Sequence, residues 1–237
     1  APSPPMLKVL YEDNHLLAVN KPAMLPTMGV REDRPSLLAT AKEYIRRKYA
    51  KPGNVYLGIV SRLDAPVTGV VLIARTSKAA ARLSEQFRER DVEKIYWAIV
   101  EGVVEPPAGQ LVDFLRKDER HRRMHIAGPD ASGAQRAELA YRLLADEPSA
   151  PRVSDRVWAT LLEVRPLTGR KHQIRVQLAQ AGFPIVGDRK YGSRRPFECG
   201  IALHSRRLVV KHPVLKTPLV IEAPPPAEWR GFFGGRG

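Results

Sequence analysis

One carboxylate stands out among the residues able to do chemistry. Asp64 ends the stretch Ser61-Arg62-Leu63-Asp64, two residues after an arginine, and is followed by Pro66, Gly69 and the apolar run at 70–74. An ionised carboxylate in a cleft is a nucleophile or a base, whereas on an open loop it only caps a turn. Tyr96 lies within the otherwise apolar IYWAIV at 95–100, and Arg170, Lys171 and His172 form a basic cluster after Gly169. The six histidines show no ligand-like spacing with cysteines or acids, so no metal is expected. A single cysteine, Cys199, cannot form an internal disulfide, which suits a reducing compartment, and a cytoplasmic location is expected.

The charge balance names the class of partner. Lysine and arginine number 39 against 25 acids, so 39 − 25 gives a net +14. A field of that sign concentrates polyanions, with nucleic acid ahead of anionic membrane. Apolar stretches such as 70–74 fall far below the ~20 residues of a spanning helix. The sequence opens without a charged segment followed by an apolar one, so no secretory signal is expected.

The elements that must position these residues follow from periodicity and turn chemistry. VLYEDNHLLAVNKP reads as strand, turn at Glu-Asp-Asn, and strand, ending at Pro22. Ser36 is placed to cap a helix over about 37–49, which Lys51-Pro52-Gly53-Asn54 breaks. Residues 55–60 and 70–74 read as strands on either side of the Asp64 segment, and Thr76 or Ser77 caps the next helix. Residues 95–100 form a central strand that Gly102 ends, with Trp97 facing the opposite side from Tyr96 and packing in the core.

Residues 103–136, rich in Pro, Gly and charge, are the least regular part; RKDERHRR at 116–123 reads as a solvated face or an RNA contact. Strands are expected at 158–164, 201–203, 208–210 and 219–221, and a helix after LTGRKH that Gly182 caps at its C-terminus. Hairpin-like neighbours with irregularly interspersed helices predict an α+β fold, a mixed, largely antiparallel sheet flanked by helices. One domain over 1–237 is expected, with 1–6 and 228–237 loosely ordered.

Three segments taken together, SRLDAPVTGVVLIAR at 61–75, EKIYWAIVEG at 93–102 and GRKHQIRVQLAQAGFPIVGDRKYG at 169–192, resemble the catalytic motifs of the RluA-type pseudouridine synthases. VNKPAMLP at 19–26 is similar to the family's early KPxG-type element, and IALHSRRLVVKHPVLKTPLVIEAPPP at 201–226 to its closing element. Two positions depart from the pattern: Ser61 stands where the family usually has histidine, and Lys171 where it has threonine. Many relatives carry an N-terminal S4-type RNA-binding domain, whereas these motifs begin near the start of this sequence. RNA affinity is therefore expected from the catalytic domain's own surface.

The resemblance implies isomerisation of uridine in structured ribosomal or transfer RNA. The N1–C1′ bond breaks, the uracil turns and rejoins through C5, so no cofactor or second substrate is needed. It implies Asp64 as nucleophile at C1′ or base at C2′, Arg175 as the guanidinium that keeps Asp64 ionised, and Tyr96 as a ring stacked on the uracil. Arg62 is implied to fill the space of a flipped nucleotide or clamp a phosphate, Arg170, Lys171 and His172 to hold phosphates, and Leu203 to pack beside the base. A monomer is expected. The rival reading is an RNA-binding or RNA-folding module on the same fold. A glycosidase is disfavoured, because no second carboxylate stands out in these segments.

Overall fold

The computed structural model describes residues 7–29, 31, 34–50, 52–121, 123–144 and 159–232. The expected leader, Lys51 as part of a helix breaker, Arg122 in the charged run, Trp158 at a strand start and residues 233–237 lie outside these residues. The chain divides into two compact units, Ala1–Lys94 with Ser205–Pro225, and Ile95–His204 with Pro226–Gly237.

In the first unit, β1 (Lys8–Glu12) and β2 (Leu16–Lys21) form an antiparallel hairpin. Asp13 closes its turn as the sequence suggests, with Oδ1 accepting the His15 and Leu16 N–H groups, both at 2.7 Å. β2 pairs with β4 (Thr68–Ala74) from Leu16 opposite Ala74 to Lys21 opposite Gly69. Every residue of β4 is buried, which accounts for its unbroken apolar run. The strand expected at 55–60 contracts to β3 (Gly58–Ile59) alongside β4.

Helix α1 (Leu37–Lys48) is capped by Ser36, and α2 (Ser77–Glu89) by Thr76, each side-chain oxygen accepting the N–H three residues on. α2 buries Ala79 and Leu83 against Leu16, Val70, Leu72, Leu208 and Ile221. The two strands expected at 201–203 and 208–210 are one, β10 (Leu203–Lys211), followed by antiparallel β11 (Pro218–Glu222). The polar Ser205-Arg206-Arg207 that divides the pattern does not interrupt the backbone ladder. Arg206 and Arg207 are half-buried and reach Glu222 with their charged ends.

The second unit is built on β5 (Glu93–Glu101), β6 (Ala108–Asp118), β7 (Arg123–Ala127), β8 (Gln135–Leu143) and β9 (Ala159–Pro166). Their order is β5-β9-β8-β6-β7, antiparallel throughout. Residues 103–136 are thus far more regular than their composition suggests. The charged run marks the β6–β7 turn, where Asp118 Oδ1 accepts the His121 N–H at 3.0 Å. Pairing with the distant β8 supplies the order that local propensity does not.

Helix α3 (Gln173–Gln180) packs on this sheet through Val176 against Leu115 and Ala137, and Gly182 follows it at φ +93° as expected of a C-terminal cap. Residues 227–232, which overlap the segment expected to be loose from 228, form a 3₁₀ turn that buries Trp229 to 1% exposure, its ring edge-on to His204. Burial of one large ring orders a segment that its glycines would otherwise leave free. Among the described residues, three α-helices and mostly antiparallel strands make an α+β fold.

Candidate active site

The segment bearing Asp64 runs from β3 into β4 and is fixed through its neighbours. Ser61 Oγ accepts the Leu72 N–H at 2.8 Å, so a hydroxyl takes the place of a strand carbonyl beside β4. Thr27 Oγ1 donates to the Leu63 carbonyl at 2.8 Å and accepts the Leu63 N–H at 3.2 Å. Lys21, with no solvent exposure, donates from Nζ to the carbonyls of Pro22, Leu25 and Ala65 at 2.8, 2.8 and 3.0 Å. The Val67 N–H closes a turn onto the Asp64 carbonyl at 3.0 Å.

Residues 61, 63 and 65 are therefore held by three different parts of the same unit. Arg62 between them is exposed and Asp64 half-buried, while Leu63 and Val67 are buried. Gly69, at φ +111°, lies so close to the Ser205 backbone that a Cβ there would sit 2.3 Å from the Ser205 carbonyl oxygen. Only glycine fits, and β4 meets β10 at that point to set the base of the loop.

Lys21 was hidden in the sequence as part of a KP motif with no assigned role. A lysine with no exposure whose three protons meet three carbonyls explains itself only in three dimensions. Ser61, the departure from the family pattern, is likewise given structural work: it ties the loop to Leu72.

In the second unit, Tyr96 is half-buried in β5 opposite Val164. Trp97 faces Glu163 and is also half-buried, so it is not the fully enclosed core residue expected. Beyond Tyr96 the chain is stitched into one piece. The Ile99 N–H donates to Ala202, Ala202 to Val186, and Val186 back to Ile99, at 3.0, 2.9 and 2.9 Å. That closed set of backbone bonds places Leu203, 3% exposed, and the 185–188 segment on the strand that carries Tyr96.

Arg175 is buried in α3, a helix whose residues 173–178 are all buried, so it is no solvent-facing helix arginine. Its Nε and Nη2 donate to Asp188 Oδ2 and Oδ1 at 2.7 and 2.9 Å, both side chains being nearly inaccessible. The guanidinium carbon also lies 5.1 Å from the Tyr191 ring centroid. Tyr191 Oη is 2.7 Å from His172 Nδ1 and accepts the Met124 N–H at 3.0 Å. His172 sits at φ +54°, directly before α3.

Of the basic cluster, Lys171 is exposed, while Arg170 is half-buried and donates from Nε to the Arg136 carbonyl at 3.1 Å. Gln173 holds the loop from beneath, its Oε1 accepting from Thr168 Oγ1 and the Arg170 N–H, and its Nε2 donating to the Glu138 carbonyl. Asp188 escaped the sequence reading, although a lone acid in the basic stretch VGDRKYG carries the same signal that singled out Asp64. Among the described residues no group of three or more His, Cys, Asp or Glu is placed to hold a metal ion, and no helix is long and apolar enough to cross a membrane.

Comparison with known proteins agrees with this architecture. A family model described as RNA pseudouridylate synthase matches residues 15–180. tRNA pseudouridine synthase C of Vibrio cholerae is 32% identical over 239 residues, covering 96% of this chain and 95% of that protein. The dual-specificity RNA pseudouridine synthase RluA of Escherichia coli K12 is 32% identical over 228 residues, covering 94% and 95%. A tRNA pseudouridine synthase C of Pectobacterium carotovorum is 33% identical over 98% of this chain, which spans 63% of that relative's length. Among solved structures, human RNA pseudouridylate synthase domain containing 4 superposes with a TM-score of 0.76 at 25% identity, covering 94% and 90%. The chain belongs to the RNA pseudouridylate synthase family and is an isomerase acting on RNA.

Proposed function

We propose that this protein converts particular uridines of a structured RNA to pseudouridine with Asp64 as the reacting carboxylate, and that transfer RNA is the first substrate to test. The observation that carries the reading is the Asp64 loop itself. Its neighbours are tied down by Ser61, Thr27 and Lys21, yet Arg62 and Asp64 lie at the surface of the unit. Relatives named as tRNA pseudouridine synthases, and one named as dual-specificity, support transfer RNA and leave ribosomal RNA as the second choice.

On this reading the target nucleotide is flipped out of its helix, with Arg62 taking the vacated space. Asp64 attacks C1′ or removes the C2′ proton, the N1–C1′ bond breaks, and the uracil turns on the Tyr96 ring beside Leu203 before C5 bonds to C1′, the Asp64–C1′ bond breaking or the proton returning to C2′ as it does. The C5 proton is lost and N1 gains one, so the sum is an isomerisation. Arg175 keeps the Asp64 carboxylate charged, and Arg170, Lys171 and His172 hold phosphates near the site. The protein works as a monomer in the cytoplasm.

The deciding experiment compares Asp64→Asn with the parent on transcripts carrying tritium at uridine C5. Tritium release should stop while RNA affinity stays within a few-fold. Release at near the parent rate would remove Asp64 from the mechanism, and no release by the parent itself would favour the RNA-folding module.

A further inference from the structure

Arg175 is held more firmly than a counter-charge alone requires. A guanidinium presents five N–H donors in a fixed plane. Asp188 takes one from Nε and one from Nη2, so the pair fixes both the plane of the group and its rotation about the side-chain axis. The donors Asp188 does not use belong to Nη1 and to the second hydrogen of Nη2, and the pair decides which way they point.

Asp188 is itself over-determined. Its N–H donates to the Ile185 carbonyl, and its carbonyl accepts from the Tyr191 and Ser193 N–H groups, at 2.9, 3.0 and 3.1 Å. Gly187 before it, at φ +85°, has no room for a Cβ, which would lie 2.5 Å from Phe197 Cβ. The Tyr191 ring braces one face of the guanidinium, and its hydroxyl reaches His172 in the basic loop.

We infer that Asp188 is a positioning residue for Arg175, holding the guanidinium in the orientation catalysis needs, and that Tyr191 is a second strut joining that guanidinium to the RNA-holding loop through His172. The inference rests on the reading of Arg175 as the group that keeps Asp64 charged. The two struts act on different quantities. Asp188 governs the geometry of a group used in the chemical step, and displacements of about 1 Å there cost on the order of 100-fold. Tyr191, through His172, governs a loop used in binding.

The test is single- and multiple-turnover tritium release from a C5-labelled transfer RNA transcript, with thermal melting of each variant recorded alongside. Asp188→Asn keeps the shape but turns an acceptor into a donor facing Arg175 Nε, and kcat should fall about 100-fold with KM within threefold. Asp188→Glu restores the carboxylate one methylene out of place and should recover about a tenth of the loss or more. It also serves as the reading variant if Asp188→Asn does not fold. In an Arg175→Gln background, Asp188→Asn should cost no further kcat. Tyr191→Phe keeps the ring beneath the guanidinium and removes the hydroxyl, so KM should rise about three- to tenfold with the smaller effect on kcat.

A merely structural cluster would lower melting temperature and leave kcat of the folded variants alike; that result overturns the inference. Full kcat in Asp188→Asn with Arg175→Gln inactive also overturns it while leaving the role of Arg175 intact. Full activity in Arg175→Gln would overturn both.

Discussion

Asp64 and Asp188 are each a lone acid in a basic stretch, yet the fold gives them different surroundings. Asp188 is gripped by its own carboxylate, in a two-bond pair with Arg175 that is almost wholly buried. Asp64 lies in a segment whose neighbours are tied down at the hydroxyl of Ser61, the backbone of Leu63 and the carbonyl of Ala65, and the acid itself is half-buried. A carboxylate held by a fixed two-bond fork serves as a strut. For the carboxylate proposed to react, bonds to the residues on either side fix the backbone that presents it. On the proposed reading, the same residue type holds a guanidinium in one place and reacts in the other.

The sharpest way to break this contrast is to neutralise Asp64. Asp64→Asn should lower kcat by at least about a thousandfold, read by tritium release on a preparation shown by urea unfolding to be folded; kcat near the parent value would remove the contrast. Next in size is the buried cation beneath the loop. Lys21→Met strands three carbonyls, that of Leu25 buried, and should cost roughly 3 kcal/mol, lowering activity through a loosened Asp64 segment, measured by unfolding and by kcat on the same preparation.

A second lysine sharpens the point, because burial there is relieved by proton loss. Burial, with a contribution from nearby Arg90, pushes Lys94 down to about 8. The unfolded chain keeps that proton to about pH 10.4, so between roughly pH 8 and 10.4 the unfolded state binds more protons and folding stability rises with pH. Lys94→Met should remove about 2 kcal/mol of that rise, read as the difference between stabilities at pH 7 and pH 10. The smallest effect belongs to Ser61. Ser61→Ala leaves the Leu72 N–H without its hydroxyl acceptor and should cost about 1 kcal/mol, with kcat within a few-fold. A drop in kcat comparable to that of Asp64→Asn would mean that Ser61 takes part in the chemistry.

What could be read in advance follows the range of the interactions. The caps at Ser36 and Thr76, the Asp13 turn, the buried strand after Asp64 and the glycine that ends α3 are all local, and each was legible. The β6–β7 hairpin was not, because its order comes from register with β8, and its charged turn masks the strands on either side. Trp229 shows the same limit at the C-terminal end: nothing near it in sequence says that a ring there will be enclosed. In the site, Arg175 was found as a charge in a motif, but its partner Asp188, thirteen residues on, was passed over as one acid among arginines and lysines.

The sequence by itself determined the chemistry available: one acid ahead of an apolar strand, a tyrosine in another strand, a basic loop before a helix, and a charge of +14 that suits a polyanion. Residue type sets what a group can donate, accept or carry, and that is written in the chain. Only the tertiary structure decided which acid is a strut, which lysine is buried against three carbonyls, and that Ser61 replaces a strand carbonyl. Those roles depend on which donors and acceptors distant segments bring within 3 Å of each other, and no spacing along the chain encodes that distance.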